Sequence, residues 1–181
     1  HLLTNHGGES KQAIYDQVDH LPALIPYPKK ITWNKEKYSL KNYTAIYISN
    51  PIFQKEARNF QKFLASKDIS VQIKLKIYPG EKAIELWMKD SSPNNNKDES
   101  YSLTISANSI KIETATSHGL YNALQTFKQL SEGNVISGCE IDDSPAFSWR
   151  GFMIDVGRNY QSVSQIKQQI DVMAAYKLNI F

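Results

Sequence analysis

Asp155-Val156-Gly157-Arg158 is the segment whose residue types and order best suit chemistry. The run Phe152 to Val156 is apolar except for Asp155, the pattern of a strand buried on both faces. Such a strand would deliver a carboxylate and a guanidinium at its C-terminal end, followed by Asn159 and Tyr160 in a loop. In β/α barrels that end is where sites are built. An arginine fork there can hold two neighbouring hydroxyls or a carboxylate. The same two residues could instead pair with each other and merely close the strand end, and spacing alone leaves both readings open. Other candidates are weaker. Asp98-Glu99 is a carboxylate pair, but it ends a polar turn, Asp90 to Glu99, that would leave both groups solvated with ordinary acidity. Asp142-Asp143 before Pro145 reads as a turn and cap, and His6-Gly7-Gly8-Glu9 lies in a tail with no element to position it. His1, His6, His20 and His118 fall at no metal-ligand spacing, and the single Cys139 can form neither an intrachain disulfide nor a cysteine-rich zinc site. No metal and no other cofactor is expected.

The positioning elements follow from periodicity. Residues 1–20 read as a polar tail broken by Gly7-Gly8, and Pro22, Pro26 and Pro28 fix an extended approach. Lys29 to Lys41 mixes lysines with Ile31, Trp33, Tyr38 and Leu40, as an edge strand with solvated charges does. Tyr43 to Ser49 alternates as a strand. Asn50-Pro51 then starts a helix whose stripe is Phe53, Ala57, Phe60 and Leu64. Val71 to Ile77 and Ala83 to Met88 are further strands; Tyr101 to Ile105 and Ser109 to Thr114 form a hairpin. Thr116 or Ser117 caps a helix burying Leu120, Leu124, Phe127 and Leu130, with Gly133 at its C-terminus and a last strand from Val135 to Ile141. Strands outnumber helices and their links look hairpin-like. Residues 21–142 therefore read as an α+β domain, a mainly antiparallel sheet with two helices on one face. From 143 to 181 the pattern becomes strand, helix, strand. The strand Phe152 to Val156 precedes a helix capped by Ser162 or Ser164 with Val163, Ile166, Ile170, Met173 and Ala174 on one side, and Leu178 to Phe181 starts another strand.

Composition limits the function classes. Hydrophobic residues make up 41% of 181, enough for a core and too many for general disorder. No apolar run approaches the ~18 residues of a membrane span. A net charge of +3 is a poor argument for nucleic acid, and no nucleic-acid partner is expected. The chain does not start with Met and shows no basic-then-apolar leader, as when a leader has been removed or the chain starts inside a longer protein.

Residues 141–151, IDDSPAFSWRG, continuing as FMIDVGRNY, closely resemble the junction that opens the barrel of family-20 glycoside hydrolases, the β-N-acetylhexosaminidases. Met173 to Phe181 (MAAYKLNIF) is similar to that family's second barrel strand and its approach. Leu24 to Pro28, Glu99 to Leu103 and the helix Gly119 to Phe127 resemble its N-terminal domain, so the likeness runs in order over about residues 22–181.

The resemblance implies that residues 21–142 are the accessory domain and 143–181 the first β-α-β elements of a truncated (β/α)8 barrel. It implies a retaining, substrate-assisted glycosidase acting on terminal N-acetylhexosamine residues of glycans, an exception to the two-carboxylate scheme. Arg158 matches the arginine that binds the 3- and 4-hydroxyls of the sugar, with Asp155 as site support. The family's catalytic Asp-Glu pair is expected beyond Phe181, so these residues alone would supply no catalytic acid and be inactive. A secreted, periplasmic or cell-surface location follows from the same resemblance. The rival reading is a non-catalytic carbohydrate-binding or scaffold module. A lone β-α-β unit cannot cover its own apolar faces, so self-association through residues 152–181 is also expected.

Overall fold

The computed structural model describes residues 22–89 and 98–181. The polar tail, His6-Gly7-Gly8-Glu9 and most of the turn from Asp90 lie outside the described residues.

Eight strands form one sheet: β1 (Lys30–Ser39), β2 (Ala45–Ile48), β3 (Gln72–Lys74), β4 (Ala83–Met88), β5 (Tyr101–Ile105), β6 (Ile110–Thr114), β7 (Ser131–Glu132) and β8 (Val135–Asp143). Their order is β1-β8-β5-β6-β4-β2-β3, with β7 pairing β8. The first helix, α1, spans Gln54–Ala65; α2 spans Ser117–Leu130 and α3 Val163–Ala175.

The sheet is mixed: four of its pairings are antiparallel and three are parallel. β1, β5, β6, β7 and β8 pair antiparallel, whereas β2 with β3, β2 with β4 and β4 with β6 run parallel. The β2–β3 pairing follows from α1: a helix between two strands forms a crossover, which returns the chain in the same direction. Asn50 caps the approach to α1 by accepting a hydrogen bond from Ile52 N at 3.0 Å, with Pro51 opening a 3-10 turn that leads into the helix. Phe53, Ala57, Phe60 and Leu64 are all buried, as their spacing requires. Thr116 caps α2 by accepting from Gly119 N at 3.1 Å. The Phe60 ring meets Phe127 edge-on, with centroids 4.9 Å apart, so α1 and α2 share one face of the sheet. Between them and the sheet lie Ile46, Ile48, Ile84, Leu86, Leu103, Ile105, Ile110 and Ile112.

Gly133 is not a helix C-cap. Its φ of +59° serves the tight turn between β7 and β8, which the two-residue β7 makes a hairpin directly after α2. β1 lies on the sheet edge as expected, and its Lys30 pairs with Asp142 at the far end of β8. Lys29 N donates to Asp143 Oδ1 at 3.2 Å, so the sheet's first and last strands meet at one corner.

Past Asp143 the expected strands shrink to one rung. Residues 152–156 and 178–181 form no ladder beyond a parallel bridge between Gly151 and Ile180. Phe152 N donates to Ile180 O at 3.0 Å and Asn179 N to Arg150 O at 2.9 Å. A segment with one neighbour and open faces gains too little to hold a full pleat. Within the run 152–156, Phe152, Met153 and Val156 are accordingly exposed and Ile154 is half-buried, rather than the run being buried on both faces; Met153 is 87% exposed. α3 begins with a capping box, Ser162 and Gln165 bonding each other's backbone. Of its expected apolar stripe, Val163 and Ile170 are exposed and only Met173 is buried.

Candidate functional site

Two polar groupings involve residues 144–181, the first where they meet the sheet layer and the second on an exposed loop. The first is a buried junction. Lys177 follows α3 and its side chain is 6% exposed; its ammonium donates to Asp143 Oδ2 at 3.2 Å and to Tyr101 OH at 3.0 Å. Tyr101 OH in turn donates to Asp143 Oδ2 at 2.9 Å and shares a hydrogen bond of 2.7 Å with Thr126. The ammonium also sits over the Tyr101 ring, 5.1 Å from its centroid. Burial pushes the Lys177 pKa down against the opposing pull of Asp143, and burial beside Asp143 pushes the Tyr101 phenol well up.

Beside this triad Arg150 and Glu99 form an ion pair, both side chains 17% exposed. Glu99 also accepts from Asn122 Nδ2 at 2.9 Å and Asn179 Nδ2 at 3.3 Å. Arg150 also donates from Nε to Lys177 O and from Nη1 to Phe147 O, each at 2.8 Å. Burial disfavours the Glu99 carboxylate, but Arg150, Asn122 and Asn179 together outweigh that cost and hold its pKa below the usual range. Glu99 is therefore not the solvated turn carboxylate its surroundings in sequence suggest, and Asp143 is a junction anchor rather than a turn cap. A cleft of about 210 Å³ runs along these residues, bounded by Pro26, Tyr27 and Phe147.

The second grouping is the loop carrying the sequence-predicted residues. Asp155 Oδ1 accepts from Gly157 N at 2.9 Å and from Arg158 N at 3.3 Å, an aspartate turn that shapes the loop. Arg158 Nε lies 3.5 Å from Asp155 Oδ2, and the arginine side chain is 92% exposed. The guanidinium thus keeps most of its five donors for a ligand. The structure brings Asp155 and Arg158 together and places Asp98, Asp142 and His118 elsewhere. Among the described residues no cluster of three metal-ligating side chains occurs, and no helix is long and apolar enough to cross a membrane. Cys139 is buried, which pushes its thiol pKa up to about 12.

Sequence reasoning missed Lys177, Arg150 and Tyr101. The available signal was single charges set within otherwise apolar runs, at Lys177 in MAAYKLNIF and Arg150 in FSWRGF.

The model of glycosyl hydrolase family 20, domain 2, matches residues 21–144. The chain belongs to glycosyl hydrolase family 20. The family-20 catalytic-domain model matches residues 147–181, the part that carries Arg150, Asp155, Arg158 and Lys177. Among family-20 relatives, a β-hexosaminidase of Porphyromonas gingivalis is 32% identical over 96% of this chain and 24% of its own length. A chitooligosaccharidolytic β-N-acetylglucosaminidase of Ostrinia furnacalis is 30% identical over 74% of this chain and 26% of its own length. The chain thus spans about a quarter of these relatives. Among solved structures, a chitobiase of Flavobacterium johnsoniae superposes with TM-score 0.67 at 29% identity, over 87% of this chain and 26% of that one. A β-N-acetylhexosaminidase of Bacteroides fragilis gives TM-score 0.70 at 27% identity, over 86% of this chain and 31% of that one.

Proposed function

We propose that this chain is the accessory domain, residues 21–142, and the first barrel elements, residues 143–181, of a β-N-acetylhexosaminidase. The enzyme removes terminal non-reducing N-acetylhexosamine from glycans with retention. The 2-acetamido oxygen attacks the anomeric carbon as the glycosidic bond breaks, a glutamate protonates the leaving oxygen, and water then opens the cyclic intermediate. Arg158 binds the 3- and 4-hydroxyls of the sugar, and Asp155 holds the loop that presents it. The acid and the acetamide-orienting aspartate are supplied by barrel elements other than these. By the same family resemblance we take the protein to be secreted, periplasmic or displayed at the cell surface.

The observation that carries this reading is the catalytic-domain match over residues 147–181, whose loop offers a solvent-exposed arginine fork with only Asp155 beside it. The test is expression of the full-length protein containing these residues, assayed on chromogenic N-acetylglucosaminide, N-acetylgalactosaminide and plain glucoside. Release from the acetamido sugars alone is expected, because only they carry the nucleophile. Equal release from the glucoside overturns the substrate-assisted mechanism, and glycan binding without turnover favours a carbohydrate-binding module.

A further inference from the structure

Lys177 adopts φ +61°, the left-handed region that favours glycine. It stands one residue past the C-cap of α3, where Leu178 N donates to Met173 O at 2.9 Å and Lys177 N to Ala174 O at 3.1 Å. That is the paired helix ending in which glycine is the usual occupant. A lysine here costs backbone freedom and, once buried, costs desolvation as well. The helix ending itself gains nothing from the side chain, so what offsets both costs must lie at its far end, on Asp143 and Tyr101.

We propose that Lys177 is a positioning residue, whose ammonium latches the end of β8 to the segment that pairs with Gly151 and so sets where the Arg158 loop stands. The inference rests on the sugar-binding role given to Arg158 above. The physical path is short. Lys177 O accepts from Arg150 Nε at 2.8 Å, Asn179 Oδ1 accepts from Arg150 N at 3.0 Å, and Asn179 N donates to Arg150 O at 2.9 Å. Phe152 N then donates to Ile180 O at 3.0 Å. The backbone leaves this bridge and reaches Asp155 and Arg158 within a few residues. A shift of Lys177 against Asp143 is therefore passed to the loop through the Arg150 and Asn179 hydrogen bonds and the main-chain bridge. The Arg150–Glu99 pair braces the same point from the other side, through Asn122 on α2.

The test uses Lys177→Gly in the full-length protein. Glycine suits the left-handed position, so the cap of α3 survives while the latch is lost, which separates the two roles. Amide hydrogen exchange at Phe152 and Asn179 should then accelerate about tenfold or more, with core strands β5 and β6 unchanged. The KM for a chromogenic N-acetylhexosaminide should rise about fivefold or more, with a smaller change in kcat. In an Arg158→Ala background the same substitution should change kcat/KM by less than about twofold, because the latch acts through that arginine. Unaltered exchange at Phe152 and Asn179, or full additivity with Arg158→Ala, overturns the proposal. Should Lys177→Gly not fold, Lys177→Met keeps the buried apolar stem and removes the ammonium from Asp143 and Tyr101, and the same exchange and kinetic outcomes decide. Absence of turnover in the unsubstituted enzyme would count against the glycosidase reading, while the exchange measurement still decides the latch.

Discussion

Arg158 extends into solvent with only Asp155 beside it, so replacing it removes almost nothing that holds the fold. A charge-assisted contact to a sugar contributes about 1.5–3 kcal/mol, so Arg158→Ala in the full-length enzyme should lower kcat/KM about tenfold or more. Its melting temperature should stay that of the parent, and a lowered one would make the arginine a fold residue. Glu99 behaves oppositely. Its pKa is held below the usual carboxylate range in the folded state by Arg150, Asn122 and Asn179 against the cost of burial, so its stabilisation is present above about pH 4.5 and is lost as pH falls through the folded pKa. Thermal unfolding between about pH 3 and 6 should show this acid loss, and Glu99→Gln should flatten it. Cys139, with its thiol pushed up to about 12, should resist disulfide-exchange reagents at neutral pH until the chain unfolds. At this scale the sequence revealed what is local. Asp155 and Arg158 are three positions apart and their turn is readable from residue types. Glu99 and Arg150 stand 51 positions apart, and Tyr101 and Lys177 stand 76, so only the fold could pair them.

Helix α2 depends on close approach at its first turn. A Cβ on Gly119 would come within 2.1 Å of Thr114 Oγ1 and 2.5 Å of Ser100 O, and the second is backbone that cannot easily give way. Gly119→Ala should therefore destabilise by about 1–3 kcal/mol despite the better helix propensity of alanine, measured as a lower denaturant midpoint at unchanged slope. Elements with strong periodicity were legible: α1 and α2 with their buried stripes, the Thr116 cap of α2, β4 to the residue, and the β5–β6 hairpin. Two readings were incomplete for a shared physical reason. Strand direction is fixed by the connection, and the helix between β2 and β3 was a sign of parallel pairing outweighed by the many short links. The run Phe152 to Val156 has the composition of a central strand, but pleat formation needs partners on both sides, and composition does not supply them.

On the scale of the whole molecule, residues 147–181 carry Phe147, Trp149, Phe152, Met153, Val163 and Phe181 exposed on a layer otherwise well packed. Apolar surface of this extent seeks cover. The 181-residue chain taken alone should associate, whereas a version ending near Asp143 should be monomeric, as light scattering would show. Equal masses for the two would mean that the segment satisfies itself. The corner where Lys30 pairs with Asp142 has a different consequence. Because the polypeptide between them starts and finishes side by side, it is nearly a closed ring. Bridging the two ends with a short linker adds little loop-closure entropy. New termini can then be cut at the turn around Gly80, which has open space about it, without severing any strand pairing. Such a circular permutant should fold with the parent's unfolding cooperativity, and the layer could be moved as a cassette into another host at one insertion point.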